Sequence, residues 1–311
     1  MTPRVLFQYA LMVSIFGFAW VALKEGLSYW PPVLYSAAVI GGAALVNGVV
    51  LLVRRIPLTW NRETAYAPMA YGVMQALVMM ATYWGQIYVP AGQSAVINAT
   101  VPAFALVMGA LIWKQPVTWR HILSLTLALV GVALLLRHVS GGGFVGSHLA
   151  RYGAEALLLA AAGLSAFSIT WLQRHPVSDQ PIPATTFIRL VTGAAVLGLV
   201  ALLWEPVRGH LVLTPLSLAC LGYLAVVDWF VGTTLWFVLM PEVSTLLLAM
   251  TTVISAVLAV VFGALLLHEV LTLLGAVGGL LVLGATVLLI REGAPGRAGR
   301  KSLPRARSRI Q

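Results

Sequence analysis

Long apolar runs are the feature that most constrains the fold of this chain. Runs of ~20 residues with almost no charge recur along it, as in Val5–Leu23 and Leu271–Ile290. At 1.5 Å per residue, a helical run of that length crosses the ~30 Å hydrocarbon core of a bilayer. Backbone N–H and C=O groups in hydrocarbon must pair within the protein, so only helices and closed barrels can span it. Barrel strands alternate apolar and polar residues, whereas these runs do not, so we predict an all-α membrane protein.

Proline, glycine and charged residues divide the apolar runs into ten predicted transmembrane helices. The gaps Val89–Gly92 and Leu239–Glu242 are short, but each contains a proline that favours a turn. We expect a first five-helix repeat at 1–137, a linker at 138–152, a second repeat at 153–291 and a basic tail at 292–311. The predicted spans are Val5–Leu23, Val33–Val53, Tyr66–Tyr88, Gln93–Trp113, Trp119–Leu136, Gly153–Gln173, Ala184–Trp204, Leu216–Val238, Val243–Leu267 and Leu271–Ile290.

Composition and charge exclude a soluble protein and set the orientation. Apolar residues make up 60% of the chain and charged residues 9%, against roughly 25% charged in soluble domains. Seven of the 19 Lys and Arg residues follow Ile290, which favours a lipid-anchoring tail over a nucleic-acid interface. With both termini in the cytoplasm, fourteen basic residues lie inside and four outside. The positive-inside rule therefore predicts a multi-pass protein of the bacterial inner (plasma) membrane with cytoplasmic termini.

A weak internal repeat links the two halves. Pro102–Arg137 aligns without gaps on Ala256–Arg291, and eleven of the 36 positions are identical. Because each half contains five helices, an odd number, the halves must cross the membrane in opposite directions. Inverted repeats of this kind are common in secondary transporters, which bind substrate near the midplane where the repeats meet.

Three segments resemble EamA-type members of the drug/metabolite transporter superfamily: FGFAWVALKEG, PAFALVMGALIWKQPVT and GALLLHEVLT. The resemblance implies ten helices in two inverted halves, with a central cavity lined by the first, third, fourth, sixth, eighth and ninth. It also implies transport of small metabolites, often export of amino acids or toxic compounds. Glu269 matches an acidic position of the family, whereas Gln115 replaces its counterpart in the first half. Arg189 matches an arginine of the family, whose first-half counterpart is Val39.

Asp228 is the candidate residue with the clearest chemical signal. It lies twelve residues into the eighth predicted span, where an aspartate costs roughly 2.5–3.5 kcal/mol on insertion scales and should face the bundle interior. It could couple transport to protons or bind a cationic substrate. The alternative is a structural carboxylate held by a hydrogen bond from a neighbouring helix.

Other polar residues at middle depth are further candidates for substrate or coupling sites. Gln75, Met79, Thr82 and Gln86 fall on one face of the third span. Such groups line cavities, but they also form interhelical hydrogen bonds worth about 0.6 kcal/mol. The aromatic candidates could stack on a substrate or form the interfacial belt, which we favour for Trp20, Trp84 and Trp236. The remaining candidates are Tyr83, Asn98, Trp236, Thr252 and Ser255.

These features predict a secondary transporter, an exporter of small organic metabolites such as amino acids or drugs that works by alternating access. The sequence contains no GxSxG, P-loop, HExxH or paired-cysteine motif, so we expect no enzyme activity, cofactor or metal. A lipid-modifying intramembrane enzyme would need several ionisable groups at one depth, and a non-transporting scaffold is a second alternative. The expected partners are a small-molecule substrate and the lipid bilayer, without nucleic acid, in a monomer or homodimer.

Overall fold

The computed structural model of the chain describes residues 3–58, 61–114, 148–174, 181–205, 211–239, 245–267 and 273–291, together with residue 242 and isolated positions between 118 and 134. Regular secondary structure in these residues is helical throughout. The helices are α1 (Pro3–Gly26), α2 (Pro32–Val53), α3 (Arg62–Tyr88), α4 (Ala91–Asn98), α5 (Val101–Trp113), α6 (His148–Arg174), α7 (Ile182–Trp204), α8 (Pro215–Gly222), a π-helical segment (Tyr223–Gly232), α9 (Thr233–Leu239), α10 (Thr245–Leu266) and α11 (Leu273–Arg291).

The apolar helices are those of a multi-pass membrane protein. Within the described residues, six helical stretches are long and apolar enough to cross a bilayer, and two shorter apolar helices lie near the C-terminus. Large apolar side chains face outwards: Leu52, Leu203 and Trp204 are all more than three-quarters exposed. A surface of this kind is suited to lipid and not to water.

Helix boundaries follow the predicted turns, with one clear difference. The third and fourth spans separate at Val89–Pro90, since α3 ends at Tyr88 and α4 begins at Ala91. The linker was predicted over 138–152, whereas α6 already begins at His148. Arg151, which falls within the predicted linker, is helical and only 7% exposed. The helix begins early because the Nε of Arg151 donates 2.9 Å to Oε1 of Glu155, one turn further on.

Two predicted spans are continuous in sequence but irregular in structure. The fourth is interrupted at Ala99 and Thr100, because Pro102 has no N–H and its ring clashes with the carbonyl four residues earlier, at Asn98. The eighth changes to π-helical hydrogen bonding over Tyr223–Gly232. π-Helical turns are rare and occur frequently at functional sites. Ala99 and Thr100 are buried, whereas the π-helical segment has both buried and exposed residues.

Close packing between helices depends on small residues. The most extensive helix contacts join α2 with α7, α3 with α6 and α7, and α1 with α10. At Gly72 of α3, an added Cβ would lie 2.5 Å from the backbone oxygen of Arg189 in α7. Such approaches are typical of membrane helices, where small residues allow backbones to touch.

Polar contacts join the helix ends on the side of the α1–α2 turn. The Nζ of Lys24 donates to the backbone oxygens of Gln86 (2.7 Å), Ile87 (2.9 Å) and Val89 (3.1 Å), at the C-terminus of α3. This cation satisfies carbonyls that have no partner within the helix. The carboxylate of Glu205 accepts from the N–H groups at the start of α2, those of Val33 (3.1 Å) and Leu34 (2.7 Å).

Some predicted features lie outside the described residues. These are Gln115, Glu269, most of the linker and the basic tail after Arg291.

Candidate substrate cavity

A cavity of about 320 Å³ lies in the interior of the bundle. Ligand pockets range from about 300 to 1,000 Å³, so it has room for a small metabolite. Its walls come from the first, third, fourth, sixth, eighth and ninth spans, the six that the family resemblance implies. The lining residues are Phe16, Ala19, Trp20, Leu23, Gln75, Val78, Met79, Thr82, Tyr83, Asn98, Ser165, Leu224, Asp228, Trp229, Thr233, Thr252 and Ser255.

Asp228 is the one formally charged side chain among these lining residues. It belongs to the π-helical segment and is partly exposed, on the cavity side. It forms no hydrogen bond or ion pair with the rest of the described chain. A structural carboxylate would be held by a hydrogen bond from a neighbouring helix, and no such bond exists among the described residues. The carboxylate is thus available to a ligand or a proton.

The polar stripe of the third span divides into a cavity part and a packing part. Gln75, Met79 and Thr82 line the cavity, and Tyr83 joins them one residue further on. Gln86 does not reach it. Its side chain is fully buried, and its Nε2 donates 2.8 Å to the backbone oxygen of Trp20. Gln86 therefore fixes α3 against α1.

The fourth and ninth spans contribute amide and hydroxyl groups. Asn98 is the last residue of α4, directly before the break at Ala99 and Thr100, and it lines the cavity together with Thr252 and Ser255 of α10. The Oγ of Ser255 donates 3.1 Å to the backbone oxygen of Thr252. Unwound backbone beside a binding site is a recurring feature of transporters.

Aromatic residues form part of the wall, but not all of those predicted. Phe16, Trp20 and Tyr83 line the cavity, and Trp20 is thus part of its wall, although the sequence favoured the interfacial belt for it. Trp236 does not line it, and packs instead against a cluster containing Met12. Trp84 is 51% exposed on the outer surface.

The lining residues that sequence reasoning missed include Ser165, Leu224, Trp229 and Thr233. Leu224, Trp229 and Thr233 lie near Asp228 within the eighth span, and the π-helical geometry explains the position of Thr233. Hydrogen bonds from i to i+5 place Asp228 and Thr233 one turn apart, whereas an α-helix would separate them by about 140° around the axis. The signal that could have identified these residues was Asp228 itself. Residues about one helical turn from an intramembrane aspartate share its face and are candidates for the same cavity.

Arg189 lies beside the cavity without entering it. Its guanidinium carbon is 5.4 Å from the centroid of the Tyr71 ring, a cation–π arrangement. It borders a second void of about 10 Å³, whose walls include Gln75, Met79 and Trp229 of the main cavity. A snorkelling arginine would extend towards water, but the Nε and Nη2 atoms of Arg189 are buried.

Comparisons with known proteins agree with this architecture. The model of the EamA-like transporter family matches the chain twice, at residues 5–137 and 153–291. A "Probable amino-acid metabolite efflux pump" of Salmonella typhimurium is 22% identical over 89% of this chain and 91% of its own length. A "Probable terminal-alkyne amino-acid exporter" of Streptantibioticus cattleyicolor is 26% identical over 97% of this chain and 98% of its own. One solved crystal structure superposes with a TM-score of 0.64 at 14% identity, covering 94% of this chain and 99% of that one, which shows a shared fold. The chain belongs to the EamA-like transporter family.

Proposed function

We propose that this transporter exports small organic metabolites, amino acids foremost, in exchange for protons carried by Asp228. The observation that supports this best is the cavity itself, which places one unpaired carboxylate among amide, hydroxyl and aromatic groups in the bundle interior. The names of the two similar proteins, an amino-acid metabolite efflux pump and an amino-acid exporter, favour the same substrate class.

The chemistry of the wall suits an amphipathic solute. Amide and hydroxyl groups of Gln75, Asn98 and Thr252 can pair with polar atoms, since pockets fix orientation with a few such groups. The faces of Trp20 and Trp229 can stack on an apolar side chain or on an ammonium group. This wall carries no basic side chain among its described lining residues, which disfavours a purely anionic substrate.

We further propose that the two halves are inverted five-helix repeats that expose the cavity alternately to each side. The separate family matches on 5–137 and 153–291 support two equivalent halves. The packing agrees, because α2 and α7, the second helices of the two halves, contact each other extensively. The contacts of α1 with α10 have their counterpart in those of α6 with α4 and α5. In each case the first helix of one half contacts the fourth span of the other half. This correspondence is expected if a two-fold axis relates the two repeats.

The driving force follows from the lack of a nucleotide-binding motif in the sequence. A carrier without such a motif must use an ion gradient or the gradient of the substrate itself. Asp228 is suited to coupling with a proton gradient, because a carboxylate that changes exposure between two states can bind a proton in one state and release it in the other. The distribution of basic residues supports a cytoplasmic position for both termini.

The two rival functions make different demands. An intramembrane enzyme would need several ionisable groups facing one cavity, and the described lining residues offer Asp228 alone. A scaffold would need no cavity of this size.

Reconstitution into liposomes separates these functions. Vesicles loaded with a mixture of labelled amino acids, polyamines and cationic drugs should release one class faster than protein-free vesicles, saturably and without chemical change. Release of an altered molecule would identify an enzyme. No release above the protein-free rate, from protein with a cooperative thermal transition, would refute the proposal.

A further inference from the structure

Two nitrogen atoms of the Arg189 guanidinium are buried, although the residue as a whole is partly exposed, and no anion of the described residues pairs with it. Its Nε and Nη2 atoms have no hydrogen-bond partner among the described residues. A buried charge is ordinarily paired and hydrogen-bonded, because desolvation costs several kcal/mol per ion. The Tyr71 ring supplies a cation–π contact, which offsets only part of that cost. An anionic group that binds at Arg189 would therefore be stabilised by it.

The helix backbone at Arg189 is held in place, so the side chain cannot escape by a shift of α7. Gly72 of α3 packs directly on the Arg189 carbonyl, and an added Cβ on Gly72 would also meet the Cβ of Thr192, at 3.1 Å. The Oγ1 of Thr192 donates 2.8 Å to the backbone oxygen of Ile188. Arg189 lines the small void next to the cavity.

A thin wall separates this void from the main cavity. Gln75, Met79 and Trp229 have one surface on each, so rotation of these side chains would join the two spaces. With a volume of about 10 Å³, the void holds about one water-sized group. A carboxylate oxygen has that size, and carboxylates pair with the guanidinium fork through two parallel hydrogen bonds.

The charges of the main cavity strengthen this assignment. The single formal charge among its described lining residues is the carboxylate of Asp228, which repels the carboxylate of an amino acid. A zwitterionic solute needs a cation that the cavity wall lacks, and Arg189 lies directly behind that wall. We propose that Arg189 binds the carboxylate group of the substrate and so makes the transporter selective for amino acids over amines. This inference rests on the proposed function, because it concerns the same cavity.

Matched compounds test this assignment without any substitution. Each amino acid that the transporter releases is compared with its amide, which keeps the ammonium and side chain but lacks the anionic carboxylate. The Kd of each is measured from the thermal stabilisation of the purified protein. Wild type should bind the acid about 10-fold more tightly than the amide, a difference of about 1.4 kcal/mol. Equal binding of acid and amide would overturn the inference, although export of both would leave the proposed function standing.

Substitution then assigns the selectivity to this residue. Arg189→Gln should weaken acid binding to the level of the amide and leave the Kd of the amide unchanged. Arg189→Lys should restore part of the preference, since the ammonium keeps the charge but not the fork. Arg54→Gln, at an exposed arginine that ends α2, is the matched control and should preserve wild-type selectivity.

Two outcomes contradict the role of Arg189. One is an equal loss of acid and amide binding in Arg189→Gln, which would mark Arg189 as structural. The other is an unchanged preference for the acid in the same variant. If wild type neither binds nor moves any compound of the panel, the proposed function and this inference fall together.

Discussion

Replacement of Asp228 by asparagine is the sharpest test of the transport mechanism. The substitution keeps the shape of the side chain and removes its charge and its titration. The carboxylate has no hydrogen bond or ion pair with the described residues, so no partner is left unsatisfied. We therefore expect Asp228→Asn to fold normally, with a thermal transition close to that of wild type.

The expected size of the effect follows from the number of charges in the cavity. With one carboxylate among its described lining residues, the site can exchange at most one proton per cycle. One proton per substrate couples a pH difference of one unit to about a tenfold concentration ratio, equal to about 1.4 kcal/mol. Asp228→Asn should reduce this ratio to one, while exchange of labelled for unlabelled substrate across equilibrated vesicles continues.

The assay uses proteoliposomes with an imposed pH difference and a membrane potential clamped at zero. Glu242→Gln serves as the control, because Glu242 is an exposed acidic residue in the turn after α9. Loss of both accumulation and exchange in Asp228→Asn would show that Asp228 binds a cationic group of the substrate and not the coupling proton. Wild-type behaviour in both assays would refute the reasoning and transfer attention to Gln75 and Thr82.

Three further predictions concern topology, stability and the tail. In a Cys220→Ser background, cysteines at Lys114 and Glu269 should be labelled from opposite faces of the membrane, since inverted repeats place these equivalent loops on different sides; labelling from one face would refute inversion. Replacing Arg151 by alanine should lower the free energy of unfolding by about 3–5 kcal/mol, because the buried Glu155 carboxylate loses its cation and keeps only the hydrogen bond from Nε2 of Gln93; an unchanged melting temperature would contradict this. A chain that ends near residue 292 should transport at the wild-type rate per molecule, although with lower membrane abundance, and a lower rate per molecule would show that the tail takes part in transport.

The sequence predicts the course of the helices well because bilayer thickness leaves few alternatives. The apolar run Val33–Val53 becomes α2, and the break at Pro90 lies where the proline indicates it. The depth of Asp228 and the stripe at Gln75 and Thr82 likewise come from position within a span and helical spacing alone. These predictions depend on local properties of the chain.

Features that depend on contacts between helices could not be predicted in the same way. Gln86 lies on the same helix face as Gln75 by its spacing in the sequence. Its side chain nevertheless donates a hydrogen bond to the backbone carbonyl of Trp20 in another helix. Arg151 is charged and was therefore assigned to a loop. In the structure it pairs with Glu155, and both side chains are buried in the bundle. Helical spacing tells which residues share a face, but not which neighbour covers that face.

The two irregular segments show how the backbone itself shapes the cavity. Pro102 interrupts the fourth span just after Asn98, and π-helical bonding in the eighth turns Trp229 and Thr233 towards the same space as Asp228. In lipid, non-helical backbone is tolerated only where protein or a water-filled cavity surrounds it. At the end of the π-helical segment, the Oγ1 of Thr233 donates to the Trp229 carbonyl at 2.5 Å, so a side chain stabilises the carbonyl where the helix geometry changes. Both departures from regular structure therefore occur where they serve the cavity, and a straight α-helix in the eighth span would turn Thr233 away from the face that carries Asp228.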